Sequence, residues 1–142
     1  MKCFNIDNLD KKIYHVGILT DEVIQLLGLN LNSTNIAFSE DKIRYAEKHA
    51  DKFESYEQYK YYIESTPDII SNPDYVALHP SGKSIEYIKC VDEILLVAVR
   101  VRQHGHLWVK SFYPITQSKL DLYIKVGTAK PFKKESLITN KD

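Results

Sequence analysis

Apolar and polar positions change period once along the chain, from steps of three and four before about residue 74 to steps of two after it. In the first part, 13–17 reads as a short strand. Thr20 is placed to cap a helix that runs through Leu27 and closes at Gly28, a residue free to take the left-handed conformation that ends helices. Residues 30–35 form a polar loop and 36–38 are extended. Ser39 then caps a helix whose stripe is Ile43, Ala46, Ala50 and Phe53. Ser55 caps the next, with Tyr56, Tyr59 and Ile63 at the same spacing, and Pro67 either kinks it or starts a fresh turn. Asn72-Pro73-Asp74 closes the helical part.

Beyond it, 75–78, 85–91, 94–102 and 106–113 are strand candidates, separated by Pro80-Ser81-Gly82-Lys83, Asp92-Glu93 and Gln103-His104-Gly105. The last separator is a three-residue hairpin loop with Gly where a left-handed backbone is needed. It sets a register with Arg102 opposite His106, Arg100 opposite Trp108, Ala98 opposite Lys110, Val97 opposite Ser111 and Leu95 opposite Tyr113. Leu95, Val97, Val99, Val101, Leu107 and Val109 then share the core face, and Ser111 and Tyr113 continue its parity. Thr116 caps a final helix through about 126, stopped by Gly127. The expected fold is α+β in one domain over 1–142. N-terminal helices (helical half about 13–72) pack on a C-terminal four-stranded antiparallel sheet (sheet half about 74–126), with a short final helix and a basic tail over 128–142. No internal repeat or low-complexity segment is present.

A chain of 142 residues with 44% apolar and 27% charged residues can bury a core without disulfides or metals. No apolar run approaches the roughly 18 residues of a membrane span, and the start MKCFNIDNLDKK lacks the apolar region of a secretory signal. Cys3 and Cys90 stand without a C-x-x-C spacing, which points to a reducing compartment and away from zinc. The expectation is a cytoplasmic protein with no membrane segment, no metal and no cofactor. Net charge is zero, but unevenly distributed. Residues 1–82 carry 8 Lys and Arg against 13 Asp and Glu, whereas residues 83–134 carry 10 against 4. The swing suits an anionic partner for the second half. Helices that carry acids and strands that carry bases for solubility would produce the same swing.

Three groups of residues could carry chemistry. His49 lies about 40° around its helix from Phe53 and about 60° from Ala46, at the border of the buried stripe. A structural histidine at the core edge is the alternative to a proton-transfer residue. Ser111 and Tyr113 place polar groups at buried parity, aimed at the helical layer, with Thr116 following at the mouth of the last helix. Either they satisfy a helix end or they line a site. On the opposite face Arg100, Arg102, His106, Trp108 and Lys110 surround one hairpin. Cations beside a stacking platform suit single-stranded nucleic acid, although a solvated sheet face has the same composition. A Gly-rich phosphate loop, H-E-x-x-H, G-x-S-x-G and an EF-hand loop are all missing, and His104 and His106 lack a third ligand nearby.

Taken together, HVGILTDEVIQLLGL, NIAFSEDKIRYAEKHAD, NPDYV, SIEYIKC and SFYPITQSKL followed by Gly127 resemble the phage branch of the barnase, EndoU, colicin and RelE nuclease superfamily. The resemblance spans about 15–130. It implies helices packed on a four-stranded antiparallel sheet and a small metal-independent endoribonuclease that uses 2′-hydroxyl attack. By resemblance His49 maps to the helix position of the site, Lys89 to the second strand, and Ser111 and Thr116 to the last strand and its exit, with Tyr113 beside them. Arg100, Arg102, Trp108 and Lys110 would hold the nucleic acid. The second acid or base stays open between Lys89 and Arg100. The implied partners are RNA, with tRNA one candidate, and a cognate inhibitor or immunity protein if the domain is a phage or mobile-element toxin. A catalytically inert RNA- or protein-binding module is the rival.

Overall fold

A computed structural model describes residues 2–132. In chain order the elements are β1 (Ile13–Leu19), α1 (Asp21–Leu27), β2 (Thr34–Ser39), α2 (Glu40–Ala46), a 3-10 turn (Glu47–Lys52), α3 (Tyr56–Ile63), α4 (Thr66–Ser71), β3 (Tyr75–Leu78), β4 (Ser84–Cys90), β5 (Ile94–Arg100), β6 (Leu107–Ile115), α5 (Gln117–Lys125) and β7 (Ala129–Pro131). Local chemistry sets most of these boundaries. The side-chain oxygens of Thr20, Ser39, Ser55 and Thr116 each accept a backbone N–H from the first turn of the helix that follows, at 3.4, 3.2, 3.0 and 3.1 Å. Gly28 ends α1 at φ 65°. Pro67 starts a fresh helix: it sits in the first turn of α4, where its missing N–H costs nothing.

The sheet is larger than expected, with seven strands in the order β1-β2-β6-β5-β4-β3-β7 rather than four. β3 to β6 form the expected antiparallel meander. β1 and β2 add to it from the helical half as an antiparallel pair, joined to β6 by a short parallel contact of Ile36 and Ala37 with Leu107 and Trp108. β7, at the start of the expected basic tail, pairs with β3. Lys133, Lys134 and the rest of that tail lie outside the described residues. Helices first and sheet second is therefore not the arrangement. The joining pairs are far apart in sequence, and a period of two marks a strand without naming its neighbour.

One face of the sheet carries the main core. Val76, Ile85, Tyr87, Leu95, Val97, Val99, Leu107, Val109 and Phe112 pack there with Val23, Ile43, Ala46, Phe53, Tyr59, Ile63 and Ile69. The other face holds a smaller cluster in which Leu120 and Tyr123 of α5 cover Ala77, Ile88, Leu96 and Ala98.

The hairpin register holds at Arg100 opposite Trp108 and then shifts. Val99 pairs with Val109, but Ala98 pairs with Ser111, Val97 with Phe112, Leu96 with Tyr113 and Leu95 with Pro114. Lys110 is the additional residue of a β-bulge, and the ladder does not extend to Arg102 and His106. The expected pairs Ala98–Lys110, Val97–Ser111 and Leu95–Tyr113 are not formed. Beyond the bulge every side chain of β6 changes face, so Phe112 is fully buried in the main core. Ser111 and Tyr113 turn to the opposite face, the one that carries Ala98 and Leu96.

The helix expected through Phe53 keeps α-geometry only to Ala46 and then tightens into the 3-10 turn. At three residues per turn, positions three apart eclipse. The tighter turn brings His49 toward the line of buried Ala46, and its side chain is half-buried.

Two stability outcomes follow. A Cβ at Gly17 would stand 2.7 Å from Ile70 Cγ2 where β1 meets α4, so Gly17→Ala should cost about 1–3 kcal/mol in urea unfolding. An unchanged midpoint would mean that α4 shifts freely. Truncating Phe112, which the bulge turns into the core, by Phe112→Ala should cost about 3–5 kcal/mol. A Phe112→Ala variant that melts like wild type would show that β6 does not turn this side chain inward.

Candidate active site

The bulge merges two groups of residues that the expected register kept on opposite faces. Ser111 and Tyr113 now share a face with Arg100 and Trp108. Across β4, β5 and β6 the partners run Glu86–Ala98–Ser111 in one row and Ser84–Arg100–Trp108 in the next. The Ala98 methyl leaves the floor low between a carboxylate on one side and a hydroxyl on the other. Above it opens a cleft of about 310 Å³, walled by Glu86, Ser111, Tyr113, Arg100 and Lys110, with His79 and Lys83 at the β3–β4 turn.

Glu86 is the group that sequence reasoning missed. It is 2% exposed, and its Oε1 is buried without a hydrogen-bond partner. Burial pushes the carboxyl above the ordinary carboxylate range, and His79, the Tyr123 hydroxyl, Lys119 and Lys110 offset this only in part. The other buried glutamate, Glu64, is also 2% exposed but accepts from Lys60 at 2.6 Å and from the Ile6 N–H at 2.9 Å, with Lys2 at 3.4 Å. Burial acts on Glu64 too, yet these partners hold its carboxyl below the ordinary range. Glu64 is a satisfied structural ion, whereas Glu86 is left poised to exchange a proton. Its signal in the sequence was an acid at outward parity in the apolar strand SIEYIKC, within the base-rich half.

His79 has a defined tautomer. Its Nδ1 lies 3.1 Å from the Ser81 backbone N–H, which can only donate, so Nδ1 accepts and the proton sits on Nε2. The Ser81 hydroxyl, 3.0 Å from the same nitrogen, accepts in turn from the Lys83 N–H at 3.2 Å. The turn thereby leaves an Nε2–H donor on a side chain that lines the cleft.

The expected site residues do not all converge. His49 does not line the cleft, but its ring lies 5.5 Å from the ring of Tyr113, which does. His49 Nδ1 is buried without a partner. Burial, then Lys52 and Lys48, holds the imidazole below its ordinary value, against a smaller opposing pull from Asp51. Lys89 is elsewhere: it donates to the Asn72 carbonyl at 2.9 Å and stands 3.9 Å from Asp74. Thr116 caps α5 and lines a larger hollow of about 910 Å³ together with Asp92, Glu93 and Asp121. That acidic rim would repel phosphate, so the smaller basic cleft is the better site despite its size. Trp108 stands beside Arg100 and Lys110, and Arg102 lies in the hairpin loop. Among the described residues no three His, Cys, Asp or Glu side chains come together as a metal would require. No helix there is long and apolar enough to cross a membrane.

A mostly antiparallel sheet with four helices on one face, and α5, a buried carboxyl and unpaired cations on the other, defines an α+β domain with a basic cleft. More particularly, the chain belongs to the phage-Barnase-EndoU-ColicinE5/D-RelE like nuclease family, whose model matches residues 14–121 and so takes in every wall of the cleft. No curated protein and no solved structure matches the chain.

Because the folded pKa of Glu86 is raised, its stabilising contribution is complete below the unfolded value of about 4.3 and is lost as pH rises through the folded value. Glu86→Gln should escape that loss. Thermal melts should show the variant at least as stable as wild type at pH 8, with the difference shrinking toward pH 4. A variant markedly less stable at pH 8 would make Glu86 a structural ion like Glu64.

Proposed function

We propose that the protein is an endoribonuclease that cleaves RNA by 2′-hydroxyl attack, without a metal ion. The observation that carries this is the Glu86 carboxyl, one oxygen of which is buried without a partner, at a cleft walled by cations. Its raised proton affinity makes it a stronger general base than an ordinary carboxylate. Glu86 takes the 2′-proton as the 2′-oxygen bonds to phosphorus and the bond to the 5′-oxygen breaks, leaving a 2′,3′-cyclic phosphate and a 5′-hydroxyl. Arg100 and Lys110 stabilise the charge that grows on the non-bridging oxygens, and the Ser111 hydroxyl and the His79 Nε2–H add hydrogen bonds. Tyr113 gives its proton to the leaving oxygen. Burial and then Glu86 raise its phenol above the ordinary value, so it is protonated at neutral pH. An alkoxide is nevertheless far more basic than a phenolate, and Lys119, 5.7 Å over the Tyr113 ring, favours the anion that forms.

His49 is a positioning residue in this scheme, holding the Tyr113 ring. Its orphan Nδ1 supports a second reading, in which it relays the proton itself. Lys89 and Thr116 have structural roles here, and Arg102 and Trp108 extend the nucleic-acid surface beside the cleft. RNA is the substrate on this reading, tRNA included. A toxin role with a cognate inhibitor would place the same chemistry in a phage or mobile-element setting.

Incubation of the protein with mixed RNA in EDTA should give cyclic-phosphate ends. Glu86→Gln should lose on the order of 10² to 10⁴ in rate. It should also lose the acid limb of the pH–rate profile, which in wild type should lie above the ordinary carboxylate range. A folded wild type that never cleaves RNA would favour the inert binding module. His49→Phe keeps a ring against Tyr113, so it should retain most activity, whereas a loss as large as that of Glu86→Gln would make His49 the proton carrier. Reversing Arg100 and Arg102 to Glu should weaken RNA binding and flatten its salt dependence. Unchanged affinity in titrations at low and moderate salt would move the binding surface elsewhere.

A further inference from the structure

Among the described residues Arg100 and Lys110 at the cleft, and Lys42 and Lys48 beyond it, are in no ion pair, unlike Lys2, Arg44, Lys60 and Lys89. Lys42 comes from α2, yet it lines a hollow of about 140 Å³ together with Arg100, Trp108 and Lys110 of the hairpin. Trp108 is half-buried there and meets the ring of His106 at 5.1 Å. One turn along α2 from Lys42, Tyr45 is 54% exposed. Lys42 Nζ stands 5.3 Å from its ring centroid and Lys48 Nζ 4.0 Å, with Lys48 also donating to the Tyr45 hydroxyl at 2.6 Å. Glu40, on the same helix, is taken by Arg44 at 2.7 Å. An exposed tyrosine held between two unpaired ammonium groups follows directly on a tryptophan beside two more cations.

We propose that α2 and the β5–β6 hairpin together form a second nucleotide-binding subsite, continuous with the cleft, whose ligand is single-stranded RNA. An unpaired base stacks on Trp108, and its phosphate lies between Lys110 and Lys42. The next nucleotide meets Tyr45 and Lys48, where a base displaces ammonium from the ring and the ammonium moves to the phosphate. Stacking on a ring requires a base free of its pairing partner, so a duplex is excluded from the track. The inference rests on the nuclease reading for the direction in which the strand leaves the cleft, but its binding surface can be tested without turnover. It gives the exposed aromatic and basic face of α2, which plays no part in the core, a function.

Trp108 is the only tryptophan in the chain, so its fluorescence reports stacking directly. The probes are 2′-O-methyl oligonucleotides, which cannot be cleaved by 2′-hydroxyl attack. A hexanucleotide should quench Trp108 and bind at least tenfold more tightly than a dinucleotide. The Lys42→Ala, Tyr45→Ala, Lys48→Ala triple variant, altered only at exposed positions, should lose most of that gain. Its log–log salt slope should be shallower by about 1.4, the counterions of two phosphate contacts on a single strand. A hexanucleotide no tighter than the dinucleotide, or a triple variant that binds like wild type, overturns the subsite. A blunt duplex of equal length that quenches as strongly overturns the single-strand assignment. Cleavage of unmodified RNA, scored separately against Glu86→Gln, decides the nuclease reading. Length-dependent quenching without cleavage would sink that reading and leave the subsite standing, and cleavage without quenching would do the reverse.

Discussion

One extra residue in β6 lets a single strand serve two environments. Before Lys110, Leu107 and Val109 point into the main core. After it Phe112 does, and the residues on either side of Phe112 are turned to the other face. Without the bulge, strict alternation would bury Ser111 and Tyr113 against the helices and expose Phe112, which has no accessible surface in the structure. The same shift aligns Glu86, Ala98 and Ser111 across three strands. Core and cleft therefore depend on one irregularity, and neither could be altered there without the other.

The helical layer and α5 divide the work of covering the sheet. Four α-helices and the 3-10 turn close one face over a large apolar cluster. On the other face α5 packs Leu120 and Tyr123 over Ala77, Ile88, Leu96 and Ala98, and the remainder is left to polar side chains. That partial roof gives Glu86 its character. A carboxyl under it is dry enough for its proton affinity to rise, yet the bulk of the cations beside it stay exposed where phosphate can reach them. An unsatisfied carboxyl costs folding stability at neutral pH, and a large core on the opposite face can carry such a cost.

β2 adds a constraint of its own. It runs beside β6 for only two residue pairs before Ser39 caps α2. From there α2 and the 3-10 turn pack along β6. This brings the His49 ring to Tyr113 and carries Lys42 to the hairpin cations.

Local chemistry in the chain was enough to determine the caps at Thr20, Ser39, Ser55 and Thr116, the stops at Gly28 and Gly127, the fresh turn at Pro67 and the four strands of the meander. Each depends on residues within a few positions of one another. The inward set Leu95, Val97, Val99, Leu107 and Val109 was legible for the same reason. Family membership was also legible in short motifs, and the family model matches residues 14–121. Tertiary structure alone decided the recruitment of β1, β2 and β7, because their partners lie far along the chain. It also decided the bulge, since alternation looks the same on either side of an inserted residue until a partner strand is present to count against. The site moved with that one position. Tyr113 and Ser111 kept their candidacy on the other face, Lys89 and Thr116 were drawn into local contacts, and Glu86 became visible only once burial had removed its water and left an oxygen without a partner.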